Sequence, residues 1–233
     1  MNKKLNLMLF FLGLKITFLW NFPIIKAQNI QGKNDINEKW EKVFQDSFNQ
    51  SDEDPPVTPK DGTTRGGSLC LVSPGSTEFK EKIWNTRPTF IWQGELERIS
   101  IPPANSEEIL WAKKVQDNQQ IIIDNGESLK PGNTYYWRVF DSIDYEYSFP
   151  TLRVTFTVMD VPEREVITRE LEKLDTGLKQ AKATPEAIAL AKVKFLAERN
   201  LFSDALSEAF TVKNPSTELQ DFRSNILQHF CAK

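Results

Sequence analysis

The segment LKPGNTYYWRV, from Leu129 to Val139, is the part of the chain that most clearly indicates a fold. Its Pro131-Gly132 pair favours a tight turn. After the turn, Tyr135, Trp137 and Val139 recur at every second position, as expected for a strand that buries one face. The segment therefore predicts a turn followed by a β-strand that contributes to a hydrophobic core.

Further short apolar runs flank this strand on both sides. They are separated by turn signals such as Pro74-Gly75 and Asp124-Asn125-Gly126. The predicted runs are Ser68–Val72, Thr89–Trp92, Leu96–Ile101, Ile109–Val115, Gln119–Ile123 and Val154–Val158. Seven short strands within residues 67–159 predict an antiparallel two-sheet β-sandwich. Trp92 and Trp137 are predicted to fill its core.

The turn and strand at Leu129–Val139 resemble the E–F corner of fibronectin type III and other immunoglobulin-like domains. In those domains a leucine and a Pro-Gly turn precede a strand whose first tyrosine points inward. The resemblance implies that Tyr135 is buried and that its hydroxyl bonds to backbone near Leu129. The Cys–Trp–Cys pattern of antibody domains is absent from the sequence, which excludes that branch.

After the last predicted strand the spacing of apolar residues changes to that of helices. Asp160 and Glu163 form a capping box, and Thr184 precedes a second helix start. Residues 160–233 are therefore predicted to form about four helices. The expected class is α+β, with an N-terminal immunoglobulin/fibronectin-like sandwich followed by a small all-α helical hairpin region.

Two further resemblances concern the helices and most of the chain. The stretch Phe195–Leu206 resembles the turn of a tetratricopeptide hairpin, but only one hairpin is present and such folds need several repeats. Residues 63–233 resemble a family of uncharacterised exported proteins known mostly from cyanobacteria. The shared features are Arg65-Gly66-Gly67, the Arg87–Trp92 strand, the Leu129–Trp137 corner, Ser203-Asp204-Ala205-Leu206 and a cysteine near the C-terminus. This resemblance implies the fold plan and export, and it implies no activity.

The first 27 residues have the layout of a secretory signal peptide. Lys3-Lys4 precedes an apolar run from Leu5 to Leu14, and Ala27 supplies a small side chain at the end. This run is shorter than the about 20 apolar residues that a spanning helix needs. We expect cleavage before Gln28 and a periplasmic or extracellular (secreted) location, with an uncleaved N-terminal anchor as the alternative.

Charge limits the classes of partner. Loss of residues 1–27 removes four lysines and no acidic residue, so the formal net charge changes from −3 to −7. An acidic chain lacks the basic stripe that nucleic acid requires, and it is not attracted to anionic lipid. We expect a protein or an envelope polysaccharide as partner, no nucleic acid, and no stable membrane span after cleavage of the signal.

Residues 28–66 are predicted to form a flexible tether, because their polar, Pro-rich and Gly-rich stretches cannot bury enough apolar surface. Within the tether, residues 35–49 have the pattern of a short amphipathic helix. Its apolar residues are Ile36, Trp40, Val43, Phe44 and Phe48. Such a helix could pack against its own domain, dock a partner or contact a membrane.

Cys70 and Cys231 are the two cysteines of the chain. An even count in an exported protein favours one disulfide, with two buried free thiols as the alternative. The bridge would join the first sandwich strand to the last helix in one packed unit. Because the sequence has no CxxC motif and His229 is its one histidine, no metal site and no cofactor are expected.

No catalytic motif is recognisable: GxSxG, a P-loop, GxGxxG and HExxH are all absent. Glu107-Glu108 and the pair Asp141 and Asp144 could serve a glycoside hydrolase only if they faced each other across a cleft. We therefore predict a non-enzymatic binding or scaffolding protein of the cell envelope. The alternatives are an enzyme accessory or unrecognised hydrolase acting on envelope polysaccharide, and a purely structural envelope protein.

Aromatic side chains in loops are the candidate binding residues. Trp84 lies in a polar loop, and Tyr145, Tyr147 and Phe149 lie in a second loop. We predict that these four residues contact a partner.

Overall fold

The computed structural model describes Trp40, Lys42 and residues 63–64, 67–75, 81–123, 126–140, 150 and 152–231. All of them belong to the compact unit Gly32–Lys233. The predicted signal peptide, most of the tether and Asp124-Asn125 lie outside the described residues. Within them, strands precede four helices that run from Val161 to Cys231, so the mixed α+β class is confirmed.

The elements are as follows. The strands are β1 Thr63–Thr64, β2 Gly67–Ser68, β3 Cys70–Ser73, β4 Glu81–Ile83, β5 Thr89–Gln93, β6 Arg98–Ile101, β7 Trp111–Lys114, β8 Ile121–Ile123, β9 Thr134–Phe140 and β10 Leu152–Val158. The helices are α1 Val161–Gln180, α2 Pro185–Ala197, α3 Phe202–Thr211 and α4 Thr217–Cys231.

The described strands form two main sheets and the small ribbon β1–β2. The five-stranded sheet has the order β4-β10-β9-β6-β7, and the three-stranded sheet has the order β3-β5-β8. One pair corrects the expectation of purely antiparallel strands, because β4 runs parallel to β10. The sequence did not predict β4, which is three residues long. Because parallel strands are not joined by a hairpin turn, no local sequence signal indicates that β4 pairs with β10.

Two strands of the three-stranded sheet, β3 and β5, are buried on both faces. On one face Phe90 of β5 packs against the five-stranded sheet, with its ring 5.1 Å from that of Trp137 and 6.5 Å from that of Phe156. On the other face Ile91 and Val72 join a second cluster with the helices. Each such side chain contributes about 1.5–3 kcal/mol on burial. The three-stranded sheet is thus the layer between the five-stranded sheet and the helices.

The helix ends follow from local polar residues. Asp160 accepts a hydrogen bond from the Glu163 backbone N–H at 3.0 Å, and Thr184 accepts one from Ala187 at 3.2 Å. The Glu163 carboxylate, however, bonds to Lys82 at 2.8 Å rather than completing the capping box. Asn200, with φ of 57°, adopts the left-handed conformation that turns the chain from α2 into α3.

Two contacts tie distant parts of the chain to the helices. The predicted disulfide between Cys70 and Cys231 is confirmed, with a Cα–Cα distance of 5.7 Å, and it joins β3 to the end of α4. Trp40 is 1% exposed, lies 5.0 Å from the Phe222 ring, and donates its indole N–H to Glu186 at 3.2 Å. At Trp40 the chain therefore packs on α2 and α4; the other apolar residues predicted for the 35–49 helix lie outside the described residues.

Candidate functional site

The tyrosine that opens β9 is fixed by the turn before it. Tyr135 is 1% exposed, and its hydroxyl oxygen accepts a hydrogen bond from the Lys130 backbone N–H at 2.8 Å. Its ring stacks on Phe156 at 5.9 Å. Trp92 and Trp137 are both fully buried nearby. These residues hold the turn, β9 and the core together.

Trp84 lies between β4 and the helices. Its side chain is half-buried, and the indole N–H donates to Thr168 Oγ1 of α1 at 3.0 Å. Its backbone carbonyl accepts from Arg164 Nε at 2.8 Å. Both bonds make Trp84 part of the contact between the strands and α1. The other three predicted binding residues, Tyr145, Tyr147 and Phe149, lie outside the described residues.

A buried carboxylate of α3 reaches the same loop. Asp204 stands at the third position of α3 and is 4% exposed. One carboxylate oxygen accepts from the Trp84 N–H at 2.7 Å and the other from the Asn85 N–H at 2.8 Å. The helix thereby satisfies two backbone donors that follow β4, because a buried N–H without an acceptor would be costly.

Glu81 of β4 makes the reciprocal contact. Its Oε1 accepts from the Ser203 backbone N–H at 3.1 Å, and its Oε2 accepts from the Ser203 hydroxyl at 2.7 Å and from the Gly75 N–H. Leu201, at the N-cap position of α3, has no side-chain acceptor to offer. Glu81 therefore caps α3 from another element of the chain.

A buried hydroxyl pair extends this contact to β5, since Thr89 Oγ1 and Ser207 Oγ are 2.6 Å apart. We call this set the acidic junction. Its members are Glu81, Thr89, Ser203, Asp204 and Ser207. Each of these side chains takes part in a hydrogen bond between α3 and either a strand or the loop that follows β4. The junction is thus a polar contact set into an otherwise apolar interface.

Burial sets the protonation of the two acids. The pKa of Asp204 is raised to about 7, mainly by burial and also by the negative charges of Glu81 and Glu208, against the lowering effect of the two N–H donors. Burial also raises the pKa of Glu81, against its bonds from Ser203 and Gly75. Two acids with raised pKa values are a pattern found in catalytic sites. Here all four carboxylate oxygens accept hydrogen bonds from the chain itself.

The acidic pairs singled out in the sequence lie elsewhere. Glu107 is largely exposed and forms an ion pair with Arg138 at 2.8 Å. Asp141 and Asp144 fall in a part of the chain that is not described. His229 lies on α4 with its ring 5.6 Å from that of Phe230. None of these residues belongs to the acidic junction.

Sequence reasoning did not single out Glu81 and Asp204 as a site. In the sequence, Asp204 stands out only as part of the motif Ser203-Asp204-Ala205-Leu206. The available signal was an acid in the first turn of a helix whose neighbouring positions are apolar and small. Such an acid commonly stabilises its own helix terminus. Its partner in β4 could not be found because that strand was not predicted.

Comparisons with known proteins identify no relative. No protein-family model matches the chain, and no curated protein and no solved structure matches it. Within the described ranges no cluster of three or more His, Cys, Asp and Glu residues is arranged to hold a metal ion. None of the helices described is long and apolar enough to cross a membrane.

Proposed function

We propose that this protein is an exported, non-enzymatic binding or scaffolding protein of the cell envelope. In it an immunoglobulin-like β-sandwich presents binding surface, and the helical region braces that sandwich from one side. The observation that carries the proposal is the acidic junction. Burial raises the pKa of Glu81 and of Asp204, as in acids that transfer protons, yet the carboxylates of both residues are committed to joining strands and helices.

Export is supported by two independent features. The first is the N-terminal layout of Lys3-Lys4, an apolar run and Ala27. The second is the Cys70–Cys231 disulfide, which persists in oxidising compartments and is rare where thiols are kept reduced.

The sandwich assignment is supported by packing between the two main sheets. Phe90 of the three-stranded sheet contacts Trp137 and Phe156 of the five-stranded sheet. The hydroxyl of Tyr135 bonds back to Lys130, one residue after Leu129, in the manner of a tyrosine corner. The parallel pairing of β4 with β10 is an edge feature added to that plan.

The location and the partner can be tested in the native organism. We expect the purified protein to begin at Gln28 and to fractionate with the periplasm or the medium. Cross-linking in the envelope fraction, followed by purification of the protein, should then recover a partner. Recovery of intact Met1 in a cytoplasmic fraction would contradict the proposal.

A hydrolase is the second candidate, and the raised pKa of Asp204 is the observation in its favour. We expect the purified protein to release no sugar from envelope polysaccharide. The Asp204→Asn and Glu81→Gln variants should change stability alone. Sugar release by the wild type that either variant abolishes, while still folded, would establish the hydrolase instead.

A further inference from the structure

The outward face of the five-stranded sheet is cationic. Along β9 and β10 alternate residues are buried in the core, and the residues between them face outward. Every strand of this sheet has one cation at an outward position: Lys82 on β4, Arg153 on β10, Arg138 on β9, Arg98 on β6 and Lys114 on β7. No outward position in these five strands is acidic. This excess of cations is local to the outward face of the sheet, since the whole chain has 32 acidic and 29 basic residues.

Four of these cations form a diagonal row, which we call the cationic stripe. It consists of Lys114, Arg98, Arg138 and Arg153. Lys114 is the register partner of Arg98, and Arg138 is the register partner of Arg153. The two pairs are offset by two residues, because Arg98 lies opposite Phe140. Four strands about 4.8 Å apart give the stripe a width of about 14 Å. Lys82 lies outside the stripe because its register partner is Thr157, four residues along β10 from Arg153.

Two aromatic rings support the arginines. The Arg98 guanidinium carbon lies 3.8 Å from the Phe140 ring centroid, and that of Arg153 lies 4.5 Å from the Tyr136 ring centroid. Such stacking holds a guanidinium in one orientation. Less side-chain entropy is then lost when a ligand binds. Arg98 and Arg153 are therefore held in position before a ligand binds.

The arrangement carries a stability cost. Arg138 and Arg153 are directly opposite each other on neighbouring strands, where like charges are unfavourable. Arg138 has one described acidic partner, Glu107, which is itself largely exposed. The Nε of Arg138 and the hydroxyl of the adjacent Ser100 are buried and bond to no described residue. A bound anion would offset the repulsion between the arginines.

We infer that the cationic stripe binds a linear anionic polysaccharide, carboxylated or sulfated. This rests on the proposed envelope location. A row that crosses four strands fits a chain with repeated charges better than one small anion. Arginine binds carboxylate or sulfate through paired hydrogen bonds. A folded protein partner would need an exposed apolar anchor, yet Phe140 is 5% exposed beneath Arg98 and Tyr136 lies beneath Arg153.

The test measures binding of the purified chain to polygalacturonate and to dextran sulfate, with neutral dextran and poly-glutamate as comparisons. The variant Lys114→Glu/Arg153→Glu changes the two exposed ends of the stripe. We expect the wild type to bind one or both charged polysaccharides, with affinity that falls as salt rises. The variant should bind about tenfold more weakly or worse.

The matched control is Lys173→Glu/Lys213→Glu, which makes the same charge change at two exposed lysines, one in α1 and one between α3 and α4. We expect its affinity to stay within about twofold of the wild type. Equal weakening in the control and the stripe variant would overturn the inference, because binding would then follow net charge. Absence of binding to both charged polysaccharides, or binding to poly-glutamate alone, would also overturn it. These failures would leave the export result and its Gln28 terminus untouched.

Discussion

The acidic junction and the cationic stripe both concentrate charges of one sign, and they do so in opposite ways. In the junction, Glu81 and Asp204 are withdrawn from water and every carboxylate oxygen meets a donor of the chain. In the stripe, Arg153 and Lys114 remain exposed. Aromatic rings there support two of the arginines.

This difference separates charged groups that stabilise the fold from charged groups that can bind a ligand. A charged group whose hydrogen bonds are all made within the chain stabilises that arrangement and has little left to offer a ligand. A group that is oriented but still reaches solvent keeps its capacity to bind. Changes in the junction should therefore alter the free energy of unfolding, whereas changes in the stripe should alter affinity.

The largest effect is expected from the disulfide between β3 and α4. Cys70 and Cys231 are 161 residues apart in sequence, so the bridge removes much chain entropy from the unfolded state. We expect Cys70→Ala/Cys231→Ala to lower the free energy of unfolding by about 3–5 kcal/mol. Denaturant titration of the variant and of the oxidised wild type measures this. A difference below about 1 kcal/mol would mean that the bridge does not brace the fold.

The next effect is expected at Asp204. Asp204→Ala leaves the backbone N–H groups of Trp84 and Asn85 without their acceptor, which should cost about 2–4 kcal/mol. Asp160→Ala is the matched control, because Asp160 accepts one exposed N–H at a helix start and should cost only about 1 kcal/mol. Denaturant titration measures the free energy of unfolding of both variants. Equal losses would show that the junction contributes no more to stability than an exposed helix cap.

The junction also predicts how stability varies with pH. Asp204 has a folded-state pKa of about 7 against an ordinary value of 3.8, so between these values the folded state holds more protons than the unfolded state. Stability should therefore fall as pH rises from about 4 to about 7, by about 3 kcal/mol. Burial of Glu81 and Glu208, whose pKa values are also raised, acts in the same direction.

Asp204→Asn provides the comparison for this pH dependence. Its free energy of unfolding should vary less between pH 4 and pH 7 than that of the wild type, because the titrating group is gone. Parallel denaturant titrations across this range measure the difference. Identical slopes for the two proteins would show that Asp204 does not titrate in the folded state as stated.

A smaller effect is expected at Tyr135, away from both charged regions. Tyr135→Phe removes the hydroxyl that accepts from Lys130 N–H and should cost about 0.5–1.5 kcal/mol. Neither the pH dependence of the free energy of unfolding nor the affinity for charged polysaccharide should change. A loss above about 3 kcal/mol would indicate that the corner carries more of the fold than one hydrogen bond.

The parts of the fold that were predictable have local causes. The alternation at Tyr135, Trp137 and Val139, the cap at Asp160 and the pairing of two cysteines can each be read from a short stretch or from a count. The junction was not predictable because Glu81 lies on a strand of three residues and meets α3 only through tertiary packing.

The stripe was hidden for a related reason. Its residues are 98, 114, 138 and 153, which are far apart in sequence, and only the strand order β10-β9-β6-β7 places them in one row. The net charge did not indicate the stripe either, because an acidic chain gives no reason to expect a basic surface. The register and the order of the strands determine which residues share this surface. Sequence patterns specify both poorly.

The most direct measurement is the affinity of two variants for the charged polysaccharide that the wild type binds, polygalacturonate or dextran sulfate, each taken under conditions where the variant is folded. We expect Asp204→Asn to bind as the wild type does, within about twofold, although it is less stable. Lys114→Glu/Arg153→Glu should be at least as stable as the wild type, because it removes the repulsion between Arg138 and Arg153, and it should bind about tenfold more weakly. Loss of affinity in Asp204→Asn, together with retained affinity in Lys114→Glu/Arg153→Glu, would contradict the division between a junction that holds and a stripe that binds.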